Sequence, residues 1–460
     1  MLKSRQRRPV IALAIALAFL CLPPGLAFAS TATVTDLYGV SSSSTSPDFA
    51  VAVGQGGTIL NTTDGGLIWL WKEPAQYRDL YDVGFDTTSG KGWAVGARGQ
   101  IDYSTDGGQT WGGALSGTSQ TLRSLAVVSG SVAYIAGGGP QVGSPALDVG
   151  IFLRTTNGGV DWESLSPNDP TLPPGATPLD QHRFTDVAAS GNNVWLRGEH
   201  AGAQIVAFST DRGTTWDSTP GGAALGDLEL TGPGGATGYA LSASPAPTAT
   251  PSPATIMHTT DSWQTDATPK YTAADPLELL NDLDMVSDIA GWAVGKPGVI
   301  VHTTDSGANW ATETSGTTFD LLGVSAWDSS NAWAVGRHGT ILRTIDAGTT
   351  WSTIAAPVDT VRPKCYATAR ASCLRNHTAT LKYRVDDPTS PLVKIKIRIK
   401  TKAGHTVKTL SSALPKSANL AATWRFKCTL RKGSYMYWVY ATDLSGNVQS
   451  RIGKNGFTVK

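Results

Sequence analysis

The stretch Gly92-Trp93-Ala94-Val95-Gly96-Ala97-Arg98-Gly99-Gln100-Ile101, which runs on through Asp102-Tyr103 into Ser104-Thr105-Asp106-Gly107-Gly108-Gln109-Thr110-Trp111, decides the fold. Two short apolar runs are separated by a Gly-flanked polar turn and end in a cluster of Ser, Thr, Asp and Gly. Strands joined by tight turns read this way, and no long stretch of the chain places apolar residues at helical spacing.

The closing pattern, Ser/Thr-x-Asp-x-Gly-x-x-Trp, recurs at Thr62 to Trp69, Ser209 to Trp216, Thr303 to Trp310 and Thr344 to Trp351. Weaker copies stand at Thr155 to Trp162, with Asn157 for Asp, and at Thr259-Thr260-Asp261-Ser262-Trp263. The key residues Asp64, Asp106, Asn157, Asp211, Asp261, Asp305 and Asp346 thus repeat at the length of a four-stranded blade, ~40–45 residues, with insertions in the middle of the series. Upstream of each box lies a run such as Val51 to Gly54 or Trp292 to Gly295, and before it an apolar pair such as Leu80/Val83. These read as strand A (innermost), strand B with its aromatic, strand C leading into the box, and strand D leaving from the box Trp. The expected fold class is all-β, a seven-bladed β-propeller over 30–358 followed by a small Ig-like β-sandwich over 359–460. Fifty-one Gly and 15 Trp suit a turn-rich protein with large aromatic fillers.

Each box residue has a structural reading. The Asp carboxylate accepts N–H groups of its own turn, Gly supplies positive φ, the Ser or Thr hydroxyl closes the loop, and Trp fills space between strands. Asp-Gly-Gly-x-x-Trp lacks the alternating oxygen ligands of a calcium loop, so no metal is expected.

Residues 1–29 read as a signal peptide: Lys3, Arg5, Arg7 and Arg8, then the apolar Val10 to Leu22, then Ala27-Phe28-Ala29. Cys21 lies in its apolar core, and the expected destination is secreted or extracytoplasmic. Formal charge is +1 overall, yet residues 30–359 carry −20 and residues 360–460 carry +17, the two joined near Pro357-Val358-Asp359-Thr360. After residue 360 stand Cys365, Cys373 and Cys428. One disulfide among these three is expected, the pair undetermined, and their spacing is not that of a zinc site.

The blocks Gly92 to Trp111, Gly291 to Trp310 and Ala332 to Trp351 resemble the Asp-box (BNR) repeats of the photosystem II stability/assembly-factor-like propellers, over residues 33–358. That resemblance implies a seven-bladed, non-enzymatic propeller that docks or chaperones a protein partner, with basic residues on one face. The basic C-terminal domain lies outside the family pattern. Similar repeats also build sialidases and xyloglucan hydrolases.

With strand A innermost, B–C turns and D–A connections share one face. Gly138 to Val149 and the Pro-rich Ser242 to Ala254 are read as extended B–C turns, Ser166 to Gln181 and Thr265 to Asp275 as extended D–A connections. Short B–C turns carry Arg98, Lys296 and Arg337, with His338 adjacent, as candidate partner contacts. On strand A, Asp82, Asp186, Asp227 and Asp282 hold equivalent positions, to be read as backbone partners in each blade or as acid/base pairs. In the C-terminal domain Lys394, Lys396, Arg398 and Lys400 alternate with Val393, Ile395, Ile397 and Ile399, which is either a protected edge strand or an anionic-surface contact. The expectation is a secreted, non-catalytic binding or scaffold protein with a protein or glycan partner on the looped face. An anionic cell-wall polymer or membrane would be held by the basic domain, without cofactor and without nucleic acid. The alternative is an Asp-box glycoside hydrolase.

Overall fold

A box turn closes on its own aspartate. In the computed structural model Ser104 Oγ donates to Asp106 Oδ1 at 2.8 Å, and the N–H groups of Gln109 and Thr110 donate to the same oxygen at 3.0 and 2.9 Å. Thr110 Oγ1 donates to Oδ2 at 2.6 Å, and Ser104 Oγ accepts the Gly108 N–H at 2.8 Å. The Asp64, Asn157, Asp211, Asp305 and Asp346 turns follow the same plan. At Asp211 the Thr215 backbone N–H, more than any other group, holds the carboxyl down at about 2.

The structure describes residues 35–460 except 43–45, 87, 142–143, 166–178, 201–202, 221–224, 232–236, 243–252, 261–267, 276–277, 355–361, 388–391, 413–415 and 444–446. The leader, the Asp261 turn, the inter-domain joint and most of the Pro-rich insert therefore lie outside the described residues. Among the described residues seven antiparallel sheets have four strands each, consecutive in sequence and ordered A-B-C-D. Blade one comprises Leu37–Ser41, Ala50–Gly54, Thr58–Thr62 and Leu70–Trp71; blade seven comprises Leu321–Ala326, Ala332–Gly336, Ile341–Thr344 and Ser352–Thr353.

Among the described residues no blade borrows a strand from the far end of the chain, and side chains close the ring. The box Trp69 meets the strand-B Trp333 edge-on at 5.4 Å, in a cluster with Leu37, Val40 and Val335. Trp93 with Trp162, Phe152 with Trp216, and Tyr239 with Trp310 repeat this contact between neighbouring blades. The box Trp thus packs between blades, where the sequence reading placed it between strands. Arg343 fastens the same seam, donating to Gly65 O and to Asp48.

Two segments differ from the sequence reading. Gly138 to Val149 is no loose loop. Ala133–Gln141 and Ser144–Thr155 pair as one lengthened B–C hairpin, which satisfies the inserted backbone internally. Thr268–Thr272, inside the stretch read as a D–A extension, is the outermost strand of blade five. Its Pro269 is tolerated because strand D is an edge.

Residues 364–459 form a second body of two packed sheets, one ordered Lys364–Ala367, Thr378–Asp386, Ala421–Lys427, the other built around Leu392–Thr401 and Gly433–Asp443. Their shared core includes Leu381, Tyr383, Ile397, Tyr437 and Val459. Cys365, Cys373 and Cys428 are three buried thiols; Cys365 sits apart on its own strand, while the other two approach each other.

Replacing Trp333 by Ala is expected to lower stability by ~3–5 kcal/mol, since it empties the seam that closes the ring. Asp106→Ala should cost less, about 1–2 kcal/mol, because its turn is solvent-exposed. Urea unfolding followed by Trp fluorescence measures both, and equal losses would contradict the ranking.

Candidate functional site

Every A–B ladder of the propeller carries a one-residue register shift near the start of strand A, as between Leu80 and Asp82 where the partners are Gly96 and Val95. Such a bulge re-aims the side chain that follows it. The glycine ending strand B permits the close approach. Gly96 has extended backbone, but a Cβ there would stand 3.0 Å from Leu80 Cα.

The re-aimed residue is the strand-A aspartate, and it reaches the next blade. Asp82 Oδ2 accepts the Leu125 N–H at 2.7 Å, Asp186 Oδ2 that of Leu228 at 2.7 Å, Asp227 Oδ2 that of Leu283 at 2.8 Å, and Asp282 Oδ2 that of Val324 at 2.6 Å. Asp82 and Asp186 also accept their own following N–H on Oδ1. In blade three Ser124 takes this place and accepts the Val187 N–H; blades one and seven have Gly39 and Gly323. Two residues on, Asp284 accepts the Ala326 N–H, and Ser325 Oγ accepts that of Ser42, joining blade seven to blade one.

These side chains line a central cavity of about 740 Å³. Its wall adds residues that the sequence reading did not single out: Tyr38, Tyr81, Arg123, Arg197, Glu229 and Asp284. One signal was available, since Arg197 stands where the other strand-B runs carry Val, Ala or Leu. Arg197 donates to Thr185 Oγ1 at 2.7 Å and to Gln204 Oε1 at 3.1 Å, and its charge offsets Asp186 and Asp227.

Burial governs the carboxyls. It pushes Asp82 and Asp282 up to about 7 and Asp284 to about 6. Asp227 and Glu229 rise well above the ordinary range, first from burial and then from the Asp282 charge on Asp227 and the Asp284 charge on Glu229. Asp227 and Asp282 share a hydrogen bond. Glycosidases instead set two carboxyls ~5 Å or more apart, astride the scissile bond. Here the pair touches, and each member also holds a backbone N–H.

The other candidates separate. Arg98 is exposed, in a left-handed turn residue with φ 57°. Arg337 is committed, its Nη1 to Asp36 at 2.7 Å and its Nε to Asp320 at 3.4 Å. Lys296 is half-buried before Pro297. The four cations at Lys394 to Lys400 lie on an interior strand paired with Thr406–Ser411 on one side and Gly433–Asp443 on the other, so edge protection does not account for them. Lys400 and Lys454 lie over the Trp438 ring at 4.6 and 5.5 Å, and Arg398 lies over Tyr440 at 5.2 Å. The domain has three acidic residues. Asp386 bonds Arg384, while Asp387 and Asp443 are buried.

Residues 71–182 and 251–362 match a family model described as photosynthesis system II assembly factor YCF48. A solved structure of YCF48 bound to D1 peptide superposes with a TM-score of 0.50 at 15% identity, covering 68% of this chain and 94% of that one. An ancestral GH74 enzyme also superposes with a TM-score of 0.50, at 12% identity, over 93% of this chain and 62% of its own length. No curated protein matches the sequence significantly. The chain is an Asp-box propeller resembling the photosystem II assembly-factor family.

The carboxyls give a pH dependence of definite sign. Groups raised in the fold contribute stability that is complete below their unfolded values, ~4, and is lost as pH rises through about 6 to 7. Asp211, lowered to about 2, contributes above ~4 and loses its contribution as pH falls toward 2. The melting temperature should therefore peak near ~pH 4 and fall toward pH 8. Asp282→Asn keeps an acceptor for Val324 and should flatten the alkaline limb; an unchanged limb would show that Asp282 is not a source of it.

Proposed function

We propose that this chain is a non-catalytic binding or scaffold protein of the cell envelope. Its propeller engages a protein or glycan partner on the face of the B–C turns and D–A connections. Its basic sandwich holds it against an anionic polymer or membrane surface. The observation that carries this reading is the commitment of the strand-A carboxylates. They accept N–H groups from adjoining blades, so their repetition is explained by assembly of the ring. The peptide in the YCF48 structure supports a polypeptide as the partner class.

The interior cation stripe supports the attachment role. Interior strands need no charge to avoid edge pairing, and residues 360–460 hold only three acidic residues against twenty basic ones. An anionic surface attracts each such cation by about 1 kcal/mol at low salt. Export through the leader at residues 1–29 belongs to the same proposal and places both bodies outside the cytoplasm.

The GH74 likeness keeps a second reading, glycoside hydrolysis, and one experiment separates the two. Full-length mature protein is incubated with anionic and neutral vesicles, with anionic cell-wall polymer, and with xyloglucan and sialosides. Retention on an anionic surface without glycan turnover is expected. Reversing Lys394, Lys396, Arg398 and Lys400 to Glu should weaken retention by roughly a hundredfold or more. Retention should also collapse toward 1 M salt, where the Debye length falls to ~3 Å. Glycan turnover abolished by Asp282→Asn would overturn the proposal in favour of the hydrolase.

A further inference from the structure

The sandwich has 101 residues after Asp359 and brings two of its three thiols together across its two sheets. Cys373 ends the strand Ala371–Cys373, which runs parallel to the last strand at Phe457 to Val459, and its carbonyl accepts the Lys460 N–H at 2.9 Å. Cys428 immediately follows Ala421–Lys427 of the opposite sheet. The turn after Cys373 returns to it: Asn376 N–H donates to Cys428 O at 2.7 Å, and Cys428 N–H donates to His377 O at 2.9 Å. These backbone bonds fix both Cα positions, and the two thiols lie in hydrogen-bond contact. Cys365 is fully buried on a different strand, Lys364–Ala367.

We infer that Cys373 and Cys428 are a disulfide pair in the exported protein, and that Cys365 is the unpaired thiol. The chemistry is thiol–disulfide exchange with an oxidised dithiol oxidoreductase or a small-molecule disulfide outside the cytoplasm. One cysteine attacks the oxidant's disulfide and forms a mixed disulfide. The second displaces the oxidant's remaining sulfur, so the Cys373–Cys428 bond forms as two protons and two electrons pass to the oxidant, which leaves as a dithiol from the oxidoreductase or as two thiols from the small molecule. The bond must be made while the chain is folding. In the folded domain Cys428 is fully buried and Cys373 is 9% exposed, so the oxidant has almost no access. Burial also pushes the Cys373 thiol up to about 11, which starves the exchange of thiolate. The same enclosure then protects the finished bond from reductants. The bridge links one sheet to the other and, through the Lys460 bond, secures the chain's last strand.

Full-length protein, exported or refolded with a glutathione redox couple, is denatured in iodoacetamide without reductant and cut with trypsin. Cleavage after Lys364, Arg370, Arg375, Lys427 and Arg431 puts each of the three cysteines on its own peptide. The expected result is a linked pair carrying Cys373 and Cys428, two hydrogens lighter than the separate peptides, with Cys365 alkylated. In Cys428→Ser, Cys373 should become alkylated; in Cys365→Ser the link should persist. The mapping reads linkage under denaturing conditions and so does not depend on a variant's stability. Alkylation of both Cys373 and Cys428 in most molecules, or a link that includes Cys365, would overturn the assignment.

Discussion

The innermost strand of a propeller blade is an edge, and its unpaired N–H groups face the preceding blade, where no strand can pair with them. A buried N–H without a partner costs ~1–3 kcal/mol, so this constraint recurs at each blade boundary. The chain meets it with one carboxylate per boundary at Asp82, Asp186, Asp227 and Asp282, and with hydroxyls at Ser124 and Ser325. The strand-A bulge aims these groups, and the strand-B glycine makes the bulge sterically possible. The acidic cavity, its raised carboxyls and the alkaline loss of stability all descend from that solution.

The box repeats act at the other end of the blade. Their aspartates satisfy only their own turns, while their tryptophans lean on the preceding blade. Gly66 joins the two roles: its φ is +86°, and a Cβ there would stand 2.9 Å from the Trp333 ring. Carboxylates or hydroxyls near the axis and aromatic edges farther out therefore hold neighbouring blades at two radii. A ring closed without strand exchange depends on both.

The two bodies handle charge oppositely. The propeller encloses part of its excess acid in the wall of the cavity, where Arg197 and shared hydrogen bonds moderate it. The sandwich displays its excess base on a sheet face, with Lys400, Lys454 and Arg398 resting on Trp438 and Tyr440. Cation–π contact steadies the cations without neutralising them.

Period and composition alone determined the seven-bladed propeller, strands A to C and the structural character of the box aspartates, because these are local: a turn and its carboxylate lie within five residues; strand D of blade five, Thr268–Thr272, escaped. The equivalence of Asp82, Asp186, Asp227 and Asp282 was legible too, but not what they bind, since each partner N–H lies on another blade, about forty to sixty residues away. Arg123, Glu229 and Asp284 had no periodic signal, because the wall of a cavity is assembled from single residues of separate blades. Arg337 looked like a free cation until Asp36, from the opposite end of the propeller, was brought beside it. Parity and the Cys spacing could not decide between thiol pairs, nor alternation between an edge and an interior strand. Both questions turn on which strands lie side by side, and only the tertiary fold, through hydrogen bonds between distant segments, sets that.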